Sequence, residues 1–370
     1  MSKMYSTIFI LTNLIILYIV FYNMPSFKSK KQVFGVSINS KYLDYQPFKN
    51  LYKEYKKFIN LSFLFILISS FIFTFVFDKT EFASTYSILA IILFNFMIYI
   101  YVHNKAKIIK LELINSNSED VFPSSKTIID SVYICERNKI IKKFKIIYLI
   151  PLLLVLISSI YTFINYNSIP NSIPIHWNLY GIADRFIDKS YTNVILIILG
   201  QFMLSILIAF ISLSSIKSRV KIDTKDIEKS RYENISYLNK IGYAFLVLMV
   251  STNLILVSSF ISYVNESNLN LYIAILSFIL MIISIIYLMF TFINSPNMKT
   301  SSSFSPDDDE NYWILGCLYN NPNDPSFMVE KRFGIGWTIN IATPLGKIFI
   351  VTLIILFIIL IYDLISSFFA

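Results

Sequence analysis

His176 and Trp177 stand in a polar stretch between two long apolar runs, and they are the residues from which chemistry is most readily built. The stretch reads Ile169-Pro170-Asn171-Ser172-Ile173-Pro174-Ile175-His176-Trp177-Asn178, with Gly181, Asp184, Arg185 and Lys189 following. Pro170 and Pro174 hold its start extended, and Gly181 supplies a turn that other residues resist. His176, Asn178 and Asp184 can converge with Arg185 into a polar cluster, with His176 as its titratable member. Trp177 and Tyr180 suit a membrane interface. Two readings stay open: a recognition surface or pocket, or a loop anchored by its aromatics with His176 and Asp184 satisfying one another. A zinc centre is short of ligands, since one histidine and isolated carboxylates fall below the three or four required.

A second distinctive stretch precedes the last apolar run. After a Ser-rich, acidic linker at Thr300 to Glu310 come Trp313, Gly316, Tyr319, Asn321, Pro322, Asp324 and Pro325, then Arg332, Gly334, Gly336, Trp337 and Asn340. The linker composition predicts disorder. Asn-Pro-Asn-Asp-Pro predicts a turn between Trp313 to Tyr319 and Phe327 to Asn340. Gly334 and Gly336 predict close backbone approach. The simplest reading is a small cap on the membrane surface, and the alternative is a docking surface for a partner. Near the N-terminus, Val33-Phe34-Gly35-Val36-Ser37-Ile38 reads as a hairpin or a short amphipathic piece. No H-E-x-x-H, G-x-x-x-x-G-K or G-x-S-x-G motif occurs, so the sequence names no catalytic nucleophile or base, and it implies no cofactor or metal.

What positions these stretches is a membrane. Hydrophobic residues make up 55% of the 370 positions and charged residues 15%, and the apolar residues come in blocks rather than in scattered periods. The runs long enough to span are Met4 to Tyr22, Phe58 to Phe77, Ser84 to Val102, Phe144 to Ile164, Asn193 to Leu213, Ile241 to Val264, Leu269 to Phe292 and Ile348 to Phe368. The first lacks a small-x-small cleavage site and is read as an uncleaved helix. The expected fold is all-α: a polytopic bundle of about eight transmembrane helices, with a small cytoplasmic β-hairpin-like segment before the last. Residues 1–143 form an N-terminal region of three helices with basic loops, and 144–213 a helix, the His-Trp-Asn loop and a helix. Residues 214–299 are a helix pair with a basic lead-in, 300–310 the linker, 311–346 the small domain, and 347–370 the last helix.

Most of the 32 lysines and arginines fall on alternate loops, which predicts that those loops are cytoplasmic. The His176 loop then faces outward, Trp313 lies inside, and both termini are external in a plasma-membrane protein. The net charge of +9 is what positive loops beside anionic lipid produce. Direct nucleic-acid binding is not expected, because the basic loops lack interleaved stacking aromatics. Cys135 and Cys317 both come out cytoplasmic, where thiols stay reduced, so no disulfide framework is implied. The spans hold almost no ionisable group, and Gly200, Gly242 and Pro151 are their only glycines or proline. Both facts argue against an ion-coupled pump. Amides at Asn13, Asn95, Gln201 and Asn253 are expected to bond neighbouring helices.

The Ile-Pro-x-His-Trp-Asn core, with Gly181, Asp184 and Lys189 following between two spans, resembles the membrane domain of unknown function found in SdpI-like immunity and signalling proteins of Gram-positive bacteria. The resemblance covers about Phe144 to Leu213. The Trp313 to Asn340 stretch resembles a small C-terminal domain of unknown function that often accompanies that loop, and Phe34-Gly35-Val36 resembles a cytoplasmic stretch of the same relatives. There an arginine and a proline are common where Ser37 and Asn39 stand here. The resemblance implies protection against a secreted killing peptide, with an extracellular peptide and a cytoplasmic transcriptional repressor as partners beside the lipid bilayer. A transporter or flippase for a lipophilic molecule, without ion coupling, is the alternative, and a metal-dependent hydrolase is a third.

Overall fold

The computed structural model describes residues 2–26, 32–38, 40–116, 130–177, 182–218, 222, 226–264, 270–296, 311–334 and 336–369. Asn178, Gly181 and the linker at Thr300 to Glu310 lie outside the described residues. The chain is mostly helical, and among the described residues eight helical segments are long and apolar enough to cross a membrane. It folds as two compact units, residues 1–128 with 297–370, and residues 129–296.

The first unit holds α1 (Ser2–Asn23), the hairpin β1 (Gln32–Val33) and β2 (Val36–Ser37), α2 (Gln46–Phe75), and α3 (Thr80–Ser116). It also holds β5 (Trp313–Ile314), β6 (Leu318–Tyr319), β7 (Met328–Glu330) and β8 (Trp337–Ile339), which lead into α9 (Pro344–Phe369). α2 begins with Pro47 in its first turn, where a missing N–H costs nothing. It ends where Asp78 takes φ +59°, which lets Lys79 N–H reach back to Phe73 O at 2.9 Å. Its buried face runs Phe48, Leu51, Tyr55, Ile59, Ser62, Ile66, Ser70 and Thr74, a repeat of three and four that turns smaller and hydroxylated toward the C-terminus. The opposite face presents Leu61, Leu64, Phe65, Ile68, Phe71 and Phe75 outward. Large apolar side chains outside and small residues between helices are the pattern of a helix solvated by lipid.

The second unit holds α4 (Ser131–Ile147), α5 (Leu149–Ile164), β3 (Ser172–Trp177), β4 (Ala183–Asp188), α6 (Tyr191–Lys217), α7 (Ile227–Val264) and α8 (Leu271–Ile293). α4 and α5 make one span broken at Tyr148, three residues before Pro151, whose ring removes the N–H that would bond one turn back. The Tyr148 hydroxyl donates to Gly242 O at 2.8 Å and meets Ser212 Oγ at 2.5 Å, tying the break to α6 and α7. Gly242 is required there, because a Cβ would enter the Phe144 ring. At the far end of α4, Asp130 caps the helix through Tyr133 N at 3.0 Å and pairs with Arg231 on α7 at 2.9 Å.

One expectation needs correcting: the His176 segment, expected as a loop, is a β-hairpin whose first strand is the extended entry. The Asn-Pro-Asn-Asp-Pro turn lies where expected, between Trp313 to Tyr319 and Met328 to Ile339, each of which closes into a hairpin of its own. The amides also divide. Asn253 bonds another helix, accepting from Ser205 at 2.7 Å and donating to Pro151 O at 3.3 Å. Asn13 and Asn95 instead donate to Phe9 O and Ile91 O of their own helices, and Gln201 makes no hydrogen bond among the described residues.

Candidate functional site

In the second unit, β3 and β4 pair antiparallel, with Pro174 opposite Phe186, His176 opposite Arg185, and a bulge at Ile175. The extra residue shifts the side-chain alternation. Pro174 is buried, whereas Ile175, His176, Arg185 and Phe186 are exposed. The base of the hairpin is fastened. Ile169 and Ile173 are buried against Val194, Ile198, Phe260 and Tyr263. Lys189 Nζ donates to Ile169 O at 2.5 Å and to Asn167 O at 3.3 Å, closing the end of a 3₁₀ turn at Tyr166–Ser168, and lies 4.9 Å from the Tyr166 ring centre. Tyr166 stacks on Tyr191 at 4.0 Å. Lys189 is therefore a clasp holding the strand to the helix end, and the described ring beside His176 is mixed basic and apolar. Trp177 and Asp184 are placed as strand residues, in β3 and β4.

In the first unit, two tight turns meet on one face of α3. Phe34 (φ +48°) and Gly35 (φ +79°) form one tip, and Leu315 (φ +52°) and Gly316 (φ +67°) form the other. Two successive left-handed residues match the twist of a tight hairpin, though the conformation strains Phe34 and Leu315. His103 Nδ1 donates to Phe34 O at 2.7 Å, which places the proton on that nitrogen because a carbonyl only accepts. A Cβ on Gly35 would lie 2.8 Å from Tyr99 OH and 3.0 Å from Gly316 O, and one on Gly316 would lie 2.5 Å from the His103 ring. Both tips can approach this closely only as glycine. The Phe34 ring is buried among Tyr52, Tyr55 and Phe333, and Phe333 stacks on Tyr99 at 4.8 Å. Gly334 (φ +81°) passes against Met24.

The rest of the small domain is held by hydrogen bonds of side-chain amides. Tyr319 is fully buried; its hydroxyl accepts from Asn321 Nδ2 at 2.9 Å and donates to Asp324 Oδ2 at 3.3 Å. Asn340, also fully buried, donates to Asn321 O and Asp324 O and accepts from the Asn321 and Ala342 amides. Asn321 and Asp324 each bend the chain by accepting an amide two residues on, beside Pro322 and Pro325. Arg332 lies 5.1 Å over the Trp313 ring, and Thr338 Oγ1 donates to Cys317 O at 2.9 Å. Trp337 pairs with Glu330 across the second hairpin, where Gly336 takes φ +93°. This set is a scaffold in its chemistry. Among the described residues no group of three or more His, Cys, Asp or Glu could hold a metal ion.

Phe34, Gly35, Gly316 and Gly334 thus come together, as do Tyr319, Asn321, Asp324 and Asn340. Tyr99 and His103 were missed, His103 because it sits at a span end. Their i, i+4 spacing beside two glycine-tipped segments was the available signal.

Comparison with known families gives two matches. Residues 153–200 match a domain of unknown function, DUF1648, covering most of α5, the β3–β4 hairpin and the start of α6. Residues 322–347 match a family of unknown function, DUF5808, which begins in the Asn-Pro-rich turn and ends in α9. The chain is a polytopic membrane protein carrying both. The DUF5808 segment contains Arg332, Gly334 and Asn340 but not the Gly316 tip, and the DUF1648 segment contains the whole clasped hairpin. No curated protein and no solved structure matches the chain.

Proposed function

We propose that the chain is a plasma-membrane protein of the SdpI-like kind, in which the DUF1648 hairpin meets an extracellular peptide and the inner loops, the DUF5808 domain among them, dock a cytoplasmic regulator. The observation that carries the reading is the hairpin itself. It is clasped at its base by Lys189 and the Tyr166–Tyr191 stack, yet presents Ile175, His176, Arg185 and Phe186 to the surroundings. A rigid mount under exposed apolar and basic residues is a recognition arrangement, since little order is lost on binding. The lysine and arginine bias supports placing this hairpin outside and both glycine tips inside.

The test is protection. A sensitive strain expressing the wild-type chain is challenged with candidate membrane-active peptides, beside His176→Ala and Phe186→Ala. Both variants are expected to reach wild-type abundance, because both side chains are exposed, and to lose at least ten-fold in protection. Unchanged protection in both would remove the hairpin as the working surface.

A further inference from the structure

The buried face of α6 runs Val194, Ile198, Gln201, Ser205, Ile208 and Ser212. Gln201 is the eleventh residue of this 27-residue helix, roughly 15 Å from its start at 1.5 Å per residue. Its side chain is 3% exposed, and neither Nε2 nor Oε1 has a hydrogen-bond partner among the described residues. Buried amides are nearly always partnered, and in hydrocarbon a side chain has no bulk water to fall back on. One turn along, Ser205 gives its proton to Asn253 Oδ1, so its lone pairs are what it retains for another group. Asn253 in turn donates to Pro151 O, in α5. Three helices thus contribute to one polar seam, with two unused donors and two acceptors at its Gln201 end.

We propose that Gln201, Ser205 and Asn253 form a binding site inside the α5–α6–α7 bundle for a small neutral guest that both donates and accepts hydrogen bonds, namely water. Neutrality follows from the surroundings: the buried faces of α5 and α6 carry serines, a threonine, Gln201 and apolar residues, and no ionisable side chain to balance a charge. Both donor and acceptor capacity are needed because Gln201 offers both. The site hydrates a stretch of span that composition alone reads as dry.

The experiment uses the full chain in lipid nanodiscs, with Cys135 and Cys317 changed to serine. Gln201→Cys and Ser205→Cys are reacted with a small, membrane-permeant methanethiosulfonate, which attacks the thiolate and so requires local water. Ile198→Cys, buried on the same face, and Leu199→Cys, on the outward face at the same depth, are the controls. Positions 201 and 205 are expected to react at least ten-fold faster than both controls. Equal rates would overturn the proposal. If neither cysteine variant folds, melting of Gln201→Leu decides: a lowered midpoint supports a bound guest, and an unchanged or raised one means the amide was merely stranded.

Discussion

At the contact of the two glycine tips, single atoms decide whether the structure closes. Gly316 has a left-handed φ and a His103 ring 2.5 Å from where a Cβ would be, so Gly316→Ala meets strain and overlap together. His103 yields only by giving up its 2.7 Å bond to Phe34 O, leaving that buried carbonyl with the longer 3.5 Å bond from the Tyr99 hydroxyl. The expected loss is about 1–3 kcal/mol. It is checked by thermal melting in detergent, with Gly336→Ala as a comparison that shares the left-handed φ but meets no neighbour within 4 Å. A Gly316→Ala melting point no lower than that of Gly336→Ala would show that the crowding at His103 is relieved without cost. His103 was hard to read from sequence because its role depends on two turns more than sixty residues and two hundred residues away. The Val-Phe-Gly-Val and Ile-Leu-Gly-Cys strings hold the turn chemistry, but nothing local says that their tips share one imidazole.

At the scale of helices, the spans were legible because lipid selects long apolar runs, and each drawn run lies largely within a helix. Their extensions were legible only in outline, from loops at 105–143 and 214–240 that mix charges at helical spacing and read as solvated helical extensions or lipid-contacting faces. α3 continues to Ser116, α4 begins at Ser131 and α7 at Ile227, all beyond the apolar runs, where a buried face (Ala106, Leu113, Tyr133, Ile140, Leu238) runs beside charged residues, some of them paired. The β3–β4 hairpin was missed because its strands contain Pro174 and a bulge, and neither alternates cleanly. Asp130 illustrates the pairing beyond the spans. Burial acts to raise its carboxyl pKa, but the Tyr133 amide and the Arg231 guanidinium outweigh this and hold it below the ordinary value. A lowered native pKa gives stability that is present above the unfolded carboxyl's pKa and is lost as pH falls through the native one. Asp130→Asn keeps a capping side chain but loses the charge facing Arg231, so it is expected to be less stable than wild type by about 1–2 kcal/mol at pH 7. The two melting curves should converge as pH drops below about 4. A gap that persists undiminished in acid would mean the pair contributes through shape rather than charge.

For the molecule as a whole, the proposed orientation makes a clean expectation. With native cysteines replaced, an impermeant maleimide applied to intact cells should label His176→Cys and spare Ile314→Cys, both at exposed positions. Lysed cells should label both. The reverse pattern would invert every assignment of inside and outside.

The last helix carries one more consequence. Asn340 O accepts from Thr343 Oγ1, which in turn accepts from Gly346 N in the first turn of α9, and a Cβ at Gly346 would strike the Asn340 carbonyl. The other end of α9 sets Phe368 against Phe82 at 5.0 Å and Phe73 at 6.4 Å, beside the corner joining α2 to α3. Between these attachments its side chains are exposed almost throughout. α9 is a strut pinned at both ends and greased by lipid along its shaft. Because a helix is stiff along its axis, a displacement of the amide-laced domain along that axis is carried to the α2–α3 corner in the same sense.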